Sequence, residues 1–418
     1  MKKKISEIWI LGLLLRLIFM ISSCHFDLLS YYWHAHLLPY YGQINTSLSG
    51  GFVCYRPIFY LLGSWLFIIK GFMNGGLSPW PQEWFLNNQF HLVNFDSWVR
   101  FVSNPQIQWI LFLLKFPYFL AEIAMILLVL KMIHGKEDKN FVLKFLLFNP
   151  VSLFSVYIFG SDDVFIVLLI VLSIFLIKRK KWYLGMFTLA CSVSFKLYPI
   201  IFFPFYIALF SNNWLKRLKL LCVALLPALF IGLILFFTGK LPFASYYMSR
   251  IPHVDYVFSM SLPFAHMGNA IYIFVAAYVW FMLYIIYERR EIDFSVDPDK
   301  IFLVLALLFY SLCFFHPQYF LLIVPLMALQ IPKDRKLVPL FSILVFCFMV
   351  YTWQWGKDMA GNLFLPLNPV LFSGLKPPME LIDSYFPVAK FFNIFRTIFI
   401  SVSFWIIYQI MKRPKIKS

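Results

Sequence analysis

The sequence predicts an all-α polytopic membrane protein, a bundle of about twelve transmembrane helices, and three observations predict it. Of its 418 residues, 61% are hydrophobic and only 13% charged, too apolar for a soluble domain and too long for one or two spans. The apolar residues fall into successive runs, each ended by a short polar or basic segment. Lys and Arg collect in every second one of those segments.

The apolar runs cover residues 5–24, 107–130, 141–159, 164–177, 182–195, 197–210, 218–237, 269–287, 301–314, 319–331, 337–355 and 391–411. With both termini inside, the cytoplasmic segments hold Lys2 to Lys4, KMIHGKEDK, Lys144, Lys178 to Lys181, WLKRLK, ERREIDFSVDPDK, KDRK and the tail KRPKIK, 24 of the 36 basic residues. Every cytoplasmic segment is therefore basic, as the positive-inside rule demands. The net charge of +17 reads as topology signal and as attraction to anionic headgroups, and implies no nucleic acid. Aromatic residues make up 21%, which suits lipid-facing helices and interfacial belts but equally follows from codon bias, and no function is drawn from it.

Met1 to Cys24 has the basic start and apolar body of a signal peptide, but no small-x-small cleavage site follows, so an uncleaved span is expected. The stretch from Cys24 to Tyr60 reads as a polar, aromatic-rich loop that sets one acid, Asp27, at the membrane boundary. Pro57 to Lys70 is expected to lie as an interfacial helix within a large first outer loop, residues 25–106. At ~21 Å it is short for a ~30 Å core, and crossing would put every later basic loop outside. Trp80, Trp84, Trp98 and Trp109 fit that interface position.

Three later pairs of spans are short, with tips at Gly160 to Asp163, Lys196 to Pro199 and Phe315 to Gln318. Arms of ~21 Å end below the bilayer surface, so a charge at such a tip needs water or a partner. The tips carry Asp162 and Asp163, Lys196 and His316, all expected on the side of Asp27 and around one outward cavity. Residues 238–268 and 356–390 read as further outer loops that lid it. The chain is expected to form a single domain, without internal repeat.

Each polar residue has two readings. Asp27 suits a general base for an acceptor hydroxyl, or is a helix-end acid in water. Lys196, with no acid in its own segment, suits a phosphate, or snorkels to the interface. Asp162 and Asp163, after the helix-loosening Asn149 and Pro150, orient a polar substrate, hold a divalent cation with Asp27, or stand solvated in a turn; two acids alone imply no cofactor. His316 donates to a phosphate or sugar oxygen, or is an interfacial histidine. Arg56, beside Tyr55, binds an anionic leaving group or lipid phosphate. Lys115 and Glu122, seven apart on one helix face, point to a buried structural network. His34 and His36 point to different faces and are no metal pair. Six cysteines lack metal-ligand spacing; Cys24 and Cys54 either pair outside the cytoplasm or stay free. The Asn45 sequon matters only in a eukaryotic secretory compartment.

Several of these segments, in this order, resemble the GT-C fold glycosyltransferases, membrane enzymes that use polyprenyl-phosphate sugars, and within them the mannosyltransferase-like branches. FDLLSYYWHAHLL with YRPIFYLL resembles the family's first outer loop, and LLKFPYFLAEIAMILLVL its next span. FNPVSLFSVYIFGSDDVFIVLLIVLSIFLI, KWYLGMFTLACSVSFKLYP and FHPQYFLLIVPL resemble its central hairpins. The likeness covers residues 24–330 or so, and departs from the pattern at Leu28, where some relatives have a second acid, and at Arg56, where a proline is common.

The resemblance implies a GT-C-like bundle that moves mannose or another hexose from a polyprenyl-phosphate donor to a hydroxyl of a glycolipid, glycan or protein acceptor, with inversion. It implies Asp27 as catalytic base, Asp162 and Asp163 as a second outer acidic site at the substrate, and Lys196 and His316 at the donor phosphate; beside these, Arg56 is expected at the donor phosphate and Tyr55 and Gln318 at the substrate. A resident metal or other cofactor is not implied. The site is expected to face outward from a prokaryotic plasma membrane, or into the lumen of the endoplasmic reticulum in a eukaryote. A transporter or flippase of a lipid-linked or anionic solute, an O-antigen polymerase and an acyltransferase are the competing classes.

Overall fold

The computed structural model describes residues 2–41, 57–73, 95–237, 251–263, 269–291 and 297–412, which are mostly helical. Among the described residues, four helical stretches are long and apolar enough to cross a membrane: Ile107–Met132, Lys136–Ile158, Leu337–Met359 and Val388–Met411. A fifth results if Ser6–Ser22 and Phe26–Trp33, bent by 76°, count as one. Shorter apolar helices form at Trp182–Phe195, Tyr198–Phe210, Ile273–Tyr287 and Pro317–Gln330, inside runs expected to span. Two compact units divide the chain: Met1–Ala124, Leu147–Phe165 and Thr352–Val388 form the first, Met125–Leu146, Ile166–Tyr351 and Ala389–Ser418 the second.

Two local expectations are corrected. The segment after Cys24 is not a loop at its start, because Phe26–Tyr41 is a 16-residue helix. Its buried residues Leu28, Leu29, Tyr32, Trp33 and Ala35 recur at helical spacing. They pack on the Pro57–Met73 helix, where Ile58, Phe59, Leu62, Leu66 and Ile69 are buried. The intervening His, Ser and Tyr residues hide that stripe from a count of apolar residues. The run expected from residue 269 begins as a strand, Ala270–Tyr272, paired antiparallel with Ser261–Pro263. The helix starts only at Ile273.

In the first unit, the Lys2–Ser22 helix is held by charge as much as by apolar packing. Arg16 grips Glu122 with two bonds, Nε to Oε2 at 2.7 Å and Nη2 to Oε1 at 2.8 Å, and both side chains are fully buried. Its Nη1 also donates to the Leu147 carbonyl at 2.7 Å. Gly12 lets the chain come this close, since a Cβ there would stand 3.0 Å from Leu147 Cβ. Tyr157 donates its hydroxyl to Glu122. Glu122, expected in a buried network with Lys115, thus pairs with Arg16 and Tyr157, which sequence spacing did not reveal, while the Lys115 ammonium bonds elsewhere, to Ser23 and the Tyr157 carbonyl.

Asn149 breaks the next helical stretch as its composition suggests. Its Oδ1 accepts the Val151 amide at 3.0 Å, and Pro150 follows at the first helical position. Leu153–Ile158 then winds as a π-helix and ends at Gly160, whose φ of +79° is open to glycine at little cost. The Trp353–Met359 and Gly361–Phe364 turns return to this unit, and the Leu363 carbonyl accepts the Cys24 amide at 2.8 Å.

The second unit is built around two helices buried on all sides, Pro298–Leu312 and Ile323–Gln330. At one end, Lys178 Nζ meets the buried Asp299 at 2.7 Å, while Lys333 Nζ reaches Asp297 at 2.6 Å and Asp299 at 3.1 Å. Arg335 pairs with Asp138 at 2.5 Å and lies over the Phe141 ring. These four segments are the ones that charge parity assigns to a single side. At the other end the 196–199 and 315–319 tips meet through stacked Tyr198 and Tyr319 rings, 5.0 Å apart.

Candidate functional site

Sequence-predicted site residues fall into one cluster in each unit. Tyr55 and Arg56 lie outside the described residues. So do Cys54 and the Asn45 sequon, while Cys24 is a buried free thiol.

The first cluster forms where the Lys2–Ser22 helix breaks. Asp27 stands in the first turn of the Phe26–Tyr41 helix, where the N-terminal end of the helix dipole favours a carboxylate. Its backbone amide donates to His25 Nδ1 at 3.1 Å, so that nitrogen carries a lone pair and the imidazole is neutral in this arrangement. The carboxylate lies 3.8 Å from the same nitrogen and keeps 29% of its side chain exposed. It is therefore neither sunk in protein nor neutralised by a histidine cation. His25 is buried and stacks on Phe159, with ring centroids 3.9 Å apart.

That stacking brings residues 159–163 to the base of the same helix. A Cβ on Gly160 would lie 3.3 Å from Leu28 Cβ, so the turn rests on the residue after Asp27. Asp162 and Asp163 are fully buried. The Ser161 hydroxyl donates to Asp163 Oδ2 at 2.6 Å and accepts the Asp163 amide at 3.1 Å, a local capping arrangement that engages Asp163 in starting its own helix. Asp162 lies within electrostatic reach of Tyr118, which also senses Tyr32 and Tyr31. The unit thus offers a half-exposed carboxylate beside buried acids and phenols. Among the described residues, no three His, Cys, Asp or Glu side chains gather as a metal site.

The second cluster joins Lys196, His316 and Gln318 around Tyr319. Lys196 follows the Trp182–Phe195 helix in extended conformation, and its ammonium stands 5.0 Å from the Tyr319 ring centroid. A cation over a phenol face is attracted by the ring quadrupole. His316 meets the same ring edge-on at 5.6 Å, and its Nε2 shares a 2.9 Å hydrogen bond with the Tyr256 hydroxyl. Burial pushes the Tyr256 hydroxyl up from its ordinary pKa, so it stays a phenol at neutral pH. Gln318 is buried, and its Oε1 accepts no hydrogen bond among the described residues. Lys196 and His316 are 8% exposed and partly exposed respectively. Together they form a cationic, hydrogen-bonding patch with an aromatic floor, suited to an anion.

Tyr319 and Tyr256 are the members of this cluster that sequence reasoning missed, as it missed Arg396, which supports the cluster from outside. Tyr319 lies within FHPQYF, one residue after Gln318, and a helical projection from Lys196 has no means of finding it. Arg396 stands in the Val388–Met411 helix and donates to the Cys313 carbonyl at 2.8 Å. No family model, curated protein or solved structure matches this chain.

Proposed function

We propose that this helical membrane protein is a GT-C-type glycosyltransferase of about twelve spans, which moves a hexose from a polyprenyl-phosphate donor to an acceptor hydroxyl on the extracytoplasmic face. The observation that carries the reading is the gathering of Lys196 and His316 around Tyr319 at the tips of short apolar helices. A phosphate on a lipid needs a site of this kind, cationic and set beside apolar surface.

In the reaction, the acceptor oxygen attacks the anomeric carbon from the face opposite the phosphate. Its proton passes to Asp27, and the bond from the anomeric carbon to the phosphate oxygen breaks with both electrons leaving on phosphate. The sugar is transferred with inversion, and polyprenyl phosphate departs. A base that takes the proton from the attacking hydroxyl is the logic of inverting glycosidases, with acceptor in place of water. Lys196 and His316 stabilise the charge that grows on the departing phosphate. Asp27 suits its part because its carboxylate retains solvent contact and so lies within reach of a polar acceptor.

A flippase or transporter of a lipid-linked solute is favoured by one feature, the 76° break between Ser6–Ser22 and Phe26–Trp33, since discontinuous helices are common in such proteins. Reconstituted protein given polyprenyl-phosphate hexose labelled in the sugar separates the two. Label in a new acceptor glycoside supports transfer. Label that crosses the bilayer still attached to its carrier supports transport and removes the proposed enzyme.

A further inference from the structure

Lys115 is buried in the first unit and belongs to neither cluster. It sits on the Ile107–Met132 helix, yet spends its ammonium on two other elements. It donates to the Ser23 carbonyl at 2.6 Å, the Ser23 hydroxyl at 3.2 Å and the Phe19 carbonyl at 3.3 Å, all at the end of the Lys2–Ser22 helix. It also donates to the carbonyl of Tyr157 in the π-helix. Ser23 Oγ lies 3.1 Å from that same Tyr157 oxygen.

Each of these acceptors has a reason to be available. The last carbonyls of a helix have no amide ahead of them and carry the negative end of its dipole. In the π-helix, the following amides turn back to earlier residues, Phe159 to Phe154 and Ser161 to Ser155. The Tyr157 carbonyl is left to accept from outside its own helix. An ammonium buried among apolar residues is costly unless such oxygens surround it, and a methionine of similar length would fill the space without that cost. The lysine therefore fixes geometry that packing alone does not specify.

That geometry leads directly to the carboxylates. Ser23 is four residues before Asp27, and Tyr157 is five before Asp162. We propose that Lys115 is the positioning residue for Asp27, its ammonium riveting the end of the Lys2–Ser22 helix to the Leu153–Ile158 π-helix so that the Asp27 turn and residues 159–163 stay face to face. The catalytic meaning of this rests on the transferase reading given above. The rivet itself does not.

The test uses the full chain in membrane vesicles with Leu28→Cys and Gly160→Cys. An ideal Cβ at 160 lies 3.3 Å from the Leu28 Cβ, within reach of a disulfide once the backbone at 160 relaxes from a φ of +79°, which strains a cysteine. Copper phenanthroline is expected to link the pair readily, with the 28–160 peptide identified by mass spectrometry. Adding Lys115→Met is expected to slow linkage about tenfold or more, the scale set by losing charge-assisted hydrogen bonds, and Lys115→Arg is expected to restore most of the rate. Equal rates with Lys and Met overturn the proposal; where the strained cysteine at 160 keeps the parent pair from linking, hydrogen exchange over residues 159–163 in the otherwise unaltered chain decides, faster exchange in Lys115→Met supporting the rivet and unchanged exchange overturning it. Should Lys115→Met fail to accumulate, Ser23→Ala takes its place: slower linkage supports the rivet and an unchanged rate overturns it. Lys115-dependent linkage in a chain that transfers no sugar would leave the rivet standing and remove the proposed enzyme. Active transfer with linkage indifferent to Lys115 would do the reverse.

Discussion

Arg396 closes the end of the Pro298–Leu312 helix by donating to the carbonyl of Cys313 at 2.8 Å. The Ser311 carbonyl lies 3.4 Å from the same nitrogen, and the rings of Phe315, Tyr351 and Phe399 surround the guanidinium at 5.2, 5.6 and 5.8 Å. A cation at the C-terminal end of a helix answers the dipole and the orphaned carbonyls together. Because the His316 backbone leaves from this point, Arg396 supports the anion patch without belonging to it. Arg396→Met is expected to speed hydrogen exchange over residues 313–318 by about tenfold or more, on the scale of a charged hydrogen bond worth ~1.5–3 kcal/mol. Exchange followed by mass spectrometry in detergent checks it.

Asp27→Asn keeps the size and the amide bond to His25 but removes the proton acceptor. Transfer is expected to fall ~10²- to 10⁴-fold, with unchanged elution and thermal stability. A labelled-donor assay on purified protein measures it, and near-normal transfer would take Asp27 out of the chemistry.

Lys196→Met should weaken donor binding by about tenfold to a hundredfold through loss of a charged contact to phosphate. Tyr319→Leu should give a smaller loss, since it removes only the ring beneath the ammonium, worth ~0.5–2 kcal/mol. Binding of polyprenyl phosphate without sugar, followed by tryptophan fluorescence, separates these effects from the chemical step. Equal affinity in Lys196→Met would count against the anion patch.

The Arg16 and Glu122 pair tests the internal scaffold. Arg16→Met leaves a buried carboxylate with the Tyr157 hydroxyl as its one remaining side-chain partner among the described residues and is expected to cost about 3–5 kcal/mol. Replacing both partners, Arg16→Met with Glu122→Met, should recover much of that loss because no charge is stranded. Melting temperatures of the two variants in one detergent decide the matter.

Stability should depend on pH through the charged end of the second unit. Burial pushes Asp297 up, but the hydrogen bond and charge of Lys333, with Lys178 and Lys300, outweigh it and hold the carboxyl below its ordinary value. Its contribution is complete above the unfolded carboxyl value and disappears as the pH falls through the lower folded one. Lys333 behaves in the opposite sense: burial lowers it, yet Asp299 and Asp297 hold it above its ordinary value. That contribution is complete below the unfolded amine value and disappears as the pH rises through the folded one. Melting temperature should thus be level across neutral pH and drop at both extremes. Asp297→Asn should flatten the acid limb, and Lys333→Met both limbs.

Much of the helical layout was legible in residue order. Trp182–Phe195 forms with the bounds its apolar run predicts, and Asn149 with Pro150 breaks the chain where their capping and φ preferences require. The grouping of Lys196 with His316 followed from both residues lying at tips of short runs. The Phe26–Tyr41 helix was hidden because its buried stripe alternates with polar and aromatic residues, so average hydrophobicity reports the wrong property. Arg16, Tyr157 and Arg396 escaped for a different reason. Each works through a carbonyl or carboxylate on another helix, 106 residues away from Arg16 to Glu122, 83 from Arg396 to Cys313 and 35 from Tyr157 to Glu122, and pairing over such distances leaves no spacing to read.

The buried acid Asp299 bears on how the chain is made. One of its partners, Lys178, leaves the ribosome long before it, while Gln330 and Lys333 follow about thirty residues later. During that interval a nascent chain holds an acid with half of its counter-charges still to be synthesised, on a helix whose every side needs neighbours. Only when the residue 333 turn emerges does Asp299 have both lysines at hand, so the charged end of the 298–330 hairpin can first be completed at that point of translation.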